Sequence, residues 1–306
     1  MMRLLLVDAH YYLYRSFFAI RGLATSSGKP TNAIYGFAKA LRKMVADLAP
    51  THAAAVWDAG LPERRTKLQP DYKQQRPEMP EDLQIQEDPV REMCPLLGFS
   101  NAFLEGTEAD DLIASYARAA VAAGMEVIIA TADKDILQLA GDRIAIYSTS
   151  KTDLPADAGF ALLGAKEVEE KWGVPPARIA DVLCLTGDSS DNIPGVAGVG
   201  NKTAASLVRD FGDASALLNR LPEVKNEKLR AKLEAASDLI RQNMEMVALD
   251  ENLALPLPLS ELFLRPRPGE LAEFFARCEF GTLRREVERE VLSGSQCRAT
   301  QGELFS

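Results

Sequence analysis

Arg3-Leu4-Leu5-Leu6-Val7-Asp8 is the stretch on which the fold turns. Its apolar run has no polar face, so it reads as a strand covered on both sides, and it stops at a carboxylate. The pattern recurs. Ala53-Ala54-Ala55-Val56-Trp57 ends at Asp58, and Val127-Ile128-Ile129-Ala130-Thr131 runs into Asp133-Lys134-Asp135. Arg143 to Tyr147 makes a fourth run. Between them lie helical patterns, one through Tyr11, Leu13, Tyr14, Phe17 and Phe18, another capped by Thr31 and running to about Leu48. Strands alternating with helices of this kind predict an α/β fold with a parallel central sheet and helices on both faces.

That architecture gives the acids a meaning. Sites in open α/β sheets form outside the carboxyl ends of the strands. Asp8, Asp58, Asp133 and Asp135 all lie there. Thr107 followed by an acid three residues later reads as a cap, placing Glu108, Asp110 and Asp111 in the first turn of a helix. Acids there complement the helix dipole by about 0.3–1 kcal/mol each, which by itself explains them. This helix directly precedes the strand ending at Thr131, however, so its start should share the edge of the other four. Seven carboxylates so placed would repel and raise one another's pKa values unless cations neutralise them. The chain has only two histidines, His10 and His52, and no Cys pairs at metal-ligand spacing. Oxygen-only ligation then points to Mg²⁺, with Mn²⁺ as a substitute, rather than zinc.

The bulk composition narrows the class. The chain has 306 residues, 47% of them hydrophobic, enough for one large or two moderate domains. There is no bilayer-spanning run and no signal-peptide pattern, so a soluble, cytoplasmic protein is expected. Cys94, Cys184, Cys278 and Cys297 are scattered, which suggests reduced thiols. The net charge of −9 argues mildly against a nucleic-acid partner, unless the acids are concentrated in a site and the bases on its rim.

Two segments supply such a rim. Leu61 to Pro80 carries Arg64, Arg65, Lys67, Lys73 and Arg76, interrupted by Pro62, Pro70, Pro77 and Pro80. A charged Pro-rich stretch is ordinarily a solvated loop. Starting directly after Asp58, this one reads better as a basic arch suited to phosphates, with Tyr72 able to stack a base. Further on, Gly195 to Thr203 resembles a P-loop, but that motif would need Lys at 201, where this chain has Asn. A hairpin of two helices with Gly195, Gly198 and Gly200 in the turn fits better. Its N–H groups, the second helix's start (Lys202, Thr203) and the Lys202 ammonium would hold a backbone phosphate. Asp188 and Asp191, at helical spacing just before the turn, are either two more site carboxylates or ordinary turn acids. Residues 214–250 read as mixed-charge helices, and Gly269 to about Leu292 as a last amphipathic helical region. From Ser293 the composition turns polar and a disordered tail is expected. Within it, Gln301, Leu304 and Phe305 are similar to the Q-x-x-L-F peptides that grip bacterial sliding clamps.

With these motifs assembled, the chain resembles the 5′-nuclease family, closest to the 5′→3′ exonuclease domain of bacterial DNA polymerase I and more distantly flap endonucleases. LLLVDAHYYLYRSFFA, PTNAIYGFAKAL, VWDAG, DYKQQRPEMPEDL, EADDLIASYA, TADKDILQL, LTGDSSDNIPGVAGVGNKTA and CEFGTL fall in the family's order over roughly residues 2 to 290. The departures are small: Trp57 where Phe is usual, Ala9 where Gly is usual. The resemblance implies that Asp8, Asp58, Glu108, Asp110, Asp111, Asp133, Asp135, Asp188 and Asp191 serve two Mg²⁺ ions. It implies arch bases at Lys73 and Arg76, a helix base near the scissile phosphate at Arg15, and K⁺ held at a helix–three-turn–helix. The expected fold is then PIN-like, with an α/β nuclease domain over 1–165, its arch at about 61–80. A helical DNA-binding region follows over 166–292, with the helix–three-turn–helix at about 181–210, and a tail over 293–306. The expected activity is structure-specific hydrolysis of DNA with a 5′ flap, nick or free 5′ end, in a nucleoid-associated protein. A PIN-type ribonuclease and a non-catalytic DNA-binding protein are the rivals. The first generally lacks the hairpin and arch, and the second has no reason to keep so many repelling acids. No polymerase domain follows residue 306, so a free-standing nuclease and an excised fragment both fit.

Overall fold

The structure, a computed structural model, describes residues 2–150, 152–153 and 159–303, those from 293 onward by backbone alone. Its strands are β1 (Arg3–Asp8), β2 (His52–Val56), β3 (Ser100–Ala102), β4 (Glu126–Ala130), β5 (Ile144–Ser148) and β6 (Ala161–Leu163). Its first helices are α1 (Ala9–Ala19), α2 (Asn32–Leu48), α3 (Glu63–Leu68), α4 (Glu81–Leu96) and α5 (Ala109–Ala122). Then come α6 (Ala165–Trp172), α7 (Ile179–Thr186), α8 (Asn201–Phe211), α9 (Ala214–Asn219), α10 (Glu227–Ala235) and α11 (Ser237–Val247). The last two are α12 (Pro268–Arg277) and α13 (Gly281–Glu303). The strands form a mostly parallel sheet in the order β3-β2-β1-β4-β5-β6. The exception is β6, antiparallel to β5, with Ile146 opposite Leu163.

Two compact units divide the chain. One contains Met2–Trp57, Met79–Ala102 and the chain from Leu257 onward. Here Leu4, Leu5, Leu6 and Val7 are completely buried, as an unbroken apolar strand requires, and β1 pairs in parallel with β2, which pairs with β3. Ala33, Ile34, Phe37, Leu41, Met44 and Leu48 form the buried stripe of α2 at helical spacing. Thr31 stands at its N-cap but makes no side-chain cap bond. Gln86 of α4 caps it instead, its Oε1 accepting from Ala33 N–H at 2.8 Å. The last amphipathic region is two helices, α12 and α13, and α13 continues through Glu303, past the expected start of a disordered tail at Ser293. No proline interrupts 281–303, so the backbone can carry the helix across Gly294 and Gly302. Leu304 and Phe305 lie outside the described residues, and of Gln301 only the backbone is described, as part of α13.

The other unit contains Asp58–Glu78 and Phe103–Pro256. It holds β4 to β6, α3 and α5 to α11. The carboxyl end of β4 releases the chain into Asp133 and then into a 3₁₀ turn at Asp135–Leu139. Helices α7 and α8 are joined by the glycine-bearing segment 187–200, as expected. Asp188 and Asp191 do not sit on a helix, however. They belong to a tight turn closed by paired bonds between Asp188 and Ile193. The left-handed Gly187 (φ +70°) begins that turn, and a Cβ on Gly195 would collide with the Thr186 carbonyl. Gly195 therefore has a packing reason to be glycine. Buried Asn243 of α11 ties the assembly together, donating to Cys184 O at 2.9 Å and Pro194 O at 2.8 Å.

Candidate metal centre and basic segment

The site is built from short loops that regular elements hold in place. Helix α5 begins at Ala109 with Glu108 as N-cap, one residue later than the Thr107 reading places it. The cap comes from elsewhere in the chain: Asp58 Oδ1 accepts the Ala109 N–H at 2.8 Å. Asp58 thereby fixes the helix that presents Glu108, Asp110 and Asp111.

Three carboxylates come together at the centre. Single oxygens of Asp135, Asp188 and Asp191 lie within 4.8 Å of one another, the one such group among the described residues. Asp133 stands beside them, its Oδ1 accepting the Asp135 N–H at 2.8 Å. Asp135 Oδ1 is completely buried and accepts no hydrogen bond. Burial raises the pKa of Asp133, and neighbouring Asp191 and Asp188 add to it despite a backbone bond and Lys73. Burial likewise drives Asp135 well above the usual carboxylate range, with Asp133, Asp188 and Asp191 adding to it. A hard divalent cation fits this oxygen-only, under-satisfied cluster, and Asp133, Asp135, Asp188 and Asp191 are the residues that would hold it.

The basic segment folds onto this cluster. It is a short helix, α3, followed by turns. Lys73 bonds Glu108 through its ammonium and reaches Asp191 at 3.4 Å. Those two carboxylates push its pKa up to about 12, against the opposing effect of burial. Arg76 Nη2 meets Asp191 Oδ1 at 2.6 Å. Lys134 pairs with Asp188 at 3.0 Å. Tyr72 is not offered to a base: it is 3% exposed, and its hydroxyl reaches Asp191 Oδ2 at 3.0 Å and Glu108 Oε1 at 3.2 Å. Burial first, then those two carboxylates, hold its phenol protonated. The stacking role expected for it requires this contact to open. Arg64 is exposed and donates to Ala248 O at 2.8 Å, and Lys67 pairs with Glu63 at 2.7 Å.

One central residue escaped the sequence reading. Arg65, counted there only among the bases of the segment, is 3% exposed and pairs with Asp111 at 2.6 Å and Glu108 at 2.5 Å. No local pattern marks it. In the turn between α7 and α8, Gly198 and Gly200 are exposed, as is Lys202. Gly200 is the N-cap of α8 and has no side chain with which to cap it, and Thr203 lies in its first turn. Its first N–H groups therefore need an outside acceptor.

Asp8 and Arg15 belong to the other unit. Asp8 is buried at the end of β1 and caps α1, its Oδ1 accepting from Tyr11 N–H at 3.0 Å. Arg15 is exposed on α1, 5.7 Å from the centre of the Tyr12 ring.

Carboxylates gathered past the end of β4 and in the turn after α7, with basic side chains turned into them, define an α/β protein suited to a divalent cation and an anionic substrate. Comparison with known proteins narrows this. Residues 3–173 match the family of 5′-3′ exonuclease N-terminal resolvase-like domains, and residues 174–269 match the 5′-3′ exonuclease C-terminal SAM fold. A 5′-3′ exonuclease of Aquifex aeolicus is 34% identical over 97% of this chain and 99% of its own length. A thermostable DNA polymerase I of Thermus thermophilus is 38% identical over 93% of this chain but only 33% of its own. The chain thus spans about a third of its polymerase relatives. The solved structure of bacteriophage T5 flap endonuclease, in a pseudo-enzyme–product complex with DNA and metal ions, superposes with a TM-score of 0.65. It covers 95% of this chain and 98% of that one at 19% identity, a likeness of fold. The chain belongs to the 5′-3′ exonuclease family.

Proposed function

We propose that this chain is a structure-specific 5′ nuclease, hydrolysing DNA phosphodiesters near a 5′ flap, a nick or a free 5′ end. One observation carries the reading: Asp135, Asp188 and Asp191 converge within 4.8 Å, with one Asp135 oxygen buried and unpartnered, beneath two bases on a folded-over segment. Divalent cations bound there would supply Lewis-acid stabilisation and lower the pKa of a coordinated water. The chain's own residues do the rest. Asp133, Asp135, Asp188 and Asp191 would hold one ion or its waters. Glu108 and Asp110, with Asp58 and Asp111 behind them, would hold or support the other. Asp8 and Arg15 join the proposal through the family resemblance. Lys73 and Arg76 pair with Glu108 and Asp191 in this structure, and in the proposed reaction they would neutralise the scissile phosphate. A single donor lost from such a role costs about 2.7–4 kcal/mol, or 10²–10³-fold in rate.

The turn between α7 and α8 would hold duplex backbone away from the cut, through Lys202 and the uncapped N–H groups beyond Gly198 and Gly200. Its carbonyls are the proposed K⁺ ligands. Among the described residues no helix is long and apolar enough to cross a membrane. A nucleoid-associated, cytoplasmic location is proposed from the DNA substrate. The Gln301, Leu304 and Phe305 tail is proposed to tether the enzyme to a sliding clamp, raising its effective concentration at nicks. Titrating a peptide of residues 293–306 against the cognate clamp tests this, and a peptide that binds no better than its Leu304→Ala, Phe305→Ala double variant disproves it. The activity itself is tested on 5′-flap DNA, nicked duplex and single-stranded RNA, with Mg²⁺ or EDTA. Cleavage of the DNAs in Mg²⁺ alone is expected. Preferential cleavage of the RNA would replace this reading with that of a ribonuclease.

A further inference from the structure

Arg65 uses every donor it has. Its Nε donates to Met246 O at 2.9 Å. Its Nη1 donates to Glu108 Oε2 at 2.5 Å and Asp111 Oδ2 at 2.6 Å. Its Nη2 donates to Asp111 Oδ1 at 2.9 Å and Ala248 O at 3.0 Å. A guanidinium has five N–H bonds in a fixed fork, and here all five are matched in a buried site. Burying a charge costs several kcal/mol unless the geometry is this complete.

Asp111 is nearly as occupied, accepting three bonds against about four acceptor sites. Beyond the two Arg65 bonds, its Oδ1 accepts the Asp250 N–H at 2.9 Å. One turn along α5, Ser115 Oγ lies 2.9 Å from Asp250 O and accepts the Leu253 N–H at 3.0 Å. Gln242 of α11 donates to Leu68 O at 2.9 Å. The stem of the basic segment, the start of α5 and the link after α11 are thus joined around one charge pair. A carboxylate whose two oxygens face a guanidinium and a backbone N–H has little to offer a cation.

We propose that Arg65 is a positioning residue and that Asp111 exists to hold it: the pair fixes the stem of the basic segment, and through it the places of Glu108, Tyr72 and Lys73. Asp111 is then a strut, and the metal-binding carboxylates are the others. The proposal rests on the nuclease reading for its kinetic consequences, though not for its structural ones.

The test compares Arg65→Lys, Asp111→Asn and their double variant on 5′-flap DNA, with Mg²⁺ titrated at saturating substrate. Lysine keeps the charge but lacks the fork, so Arg65→Lys should lower kcat by about 10²-fold, the scale of an ångström-sized misplacement. Asp111→Asn should do the same, the Mg²⁺ concentration for half-maximal rate should stay within about twofold of wild type, and the double variant should be no slower than the worse single one. A half-maximal Mg²⁺ concentration raised about tenfold in Asp111→Asn would make Asp111 a ligand and overturn the proposal. So would losses that multiply. Limited chymotrypsin cleavage after Tyr72 reads the structural part independently of catalysis: Arg65→Lys should speed it at least about tenfold by releasing the stem. If wild type cuts no DNA but this acceleration appears, the nuclease reading falls and the strut stands. An unchanged cleavage rate sinks the strut.

Discussion

Two groups of acids in the same unit are treated in opposite ways. Glu108 and Asp111, at the start of α5, are buried against Arg65 and matched almost bond for bond. Asp133 and Asp135, just past β4, are enclosed with Asp188 and Asp191 close by, and one Asp135 oxygen accepts nothing. Both groups carry the cost of removing charge from water. In the first, the chain's own guanidinium offsets that cost, most fully at Asp111, which then serves as a support. In the second, Lys134, Lys73 and Arg76 offset part of that cost at Asp188 and Asp191, while burial and mutual repulsion still oppose ionisation of Asp133 and Asp135. An unsatisfied acid cluster persists when something outside the chain completes it. Lys73 connects the two groups, bonding Glu108 and lying 3.4 Å from Asp191.

The strongest way to break this contrast is Asp135→Asn. It removes a charge from the unsatisfied group while keeping its shape. Turnover on 5′-flap DNA in Mg²⁺ should fall by at least about 10²–10³-fold, the scale seen when one preorganised charge-stabilising group is lost. Denaturant midpoints without metal should stay level or rise, because a repulsion has been relieved. Wild-type turnover, or a marked loss of metal-free stability, would mean that Asp135 belongs to the support instead.

Lys73→Met probes the link. The ammonium neutralises acids in the resting site and, in the proposed mechanism, a phosphate during reaction. Its loss should cost about 10²-fold in kcat and also lower the Mg²⁺ concentration needed, since a competing cation is gone. A variant that needs more Mg²⁺ would show that Lys73 helps to build the cation site rather than competing with it.

The contrast also explains what could be read from the sequence. Strands β1, β2, β4 and β5 announce themselves as apolar runs, and the acids at the ends of β1, β2 and β4 follow from the strands. The edge strands β3 (Ser100–Ala102) and β6 (Ala161–Leu163) are three residues each and leave no period to read. Thr31 and Thr107 both look like local caps, yet Gln86 and Asp58 do the capping from distant positions. The spacing of Asp188 and Asp191 is as compatible with a turn as with a helix, and the close packing of Gly195 on Thr186 decides for the turn. Arg65 was hidden for a related reason. Whether a base is solvated or buried depends on which acids the fold brings to it, and those are more than forty positions away, at separations of 43 and 46 residues.

Lys202→Ala sharpens the contrast from a different side, since its exposed ammonium touches neither acid group. Affinity for duplex DNA should fall evenly across sequences, and the slope of log affinity against log salt should drop by about one. Single-turnover rates at saturating DNA should hold. A lower rate at saturation with unchanged affinity would place this turn in the chemistry.

The smallest effect is expected at Glu87, a half-buried acid in the other unit that serves as a control for ordinary pairing. The His10 imidazole, 3.8 Å from its carboxylate, and the Arg91 guanidinium at 2.8 Å hold Glu87 down to about 2, with burial opposing them. The sign follows from the direction of the shift. A carboxyl group that ionises more readily folded than unfolded stabilises the protein wherever it is ionised in both states, above about pH 4.5. That stabilisation is lost as pH falls toward 2. Partial exposure screens the interaction, so the amount is on the order of 1 kcal/mol. Glu87→Gln should therefore be less stable than wild type near pH 5, where Glu87 is ionised and an imidazole ordinarily carries charge, and the margin should close as acid is added below that. Denaturant unfolding of both proteins between pH 7 and 3 measures it. A margin that does not change over this range would assign the effect to lost packing instead of charge, and Glu87 would cease to be a fair standard for the paired acids of the site.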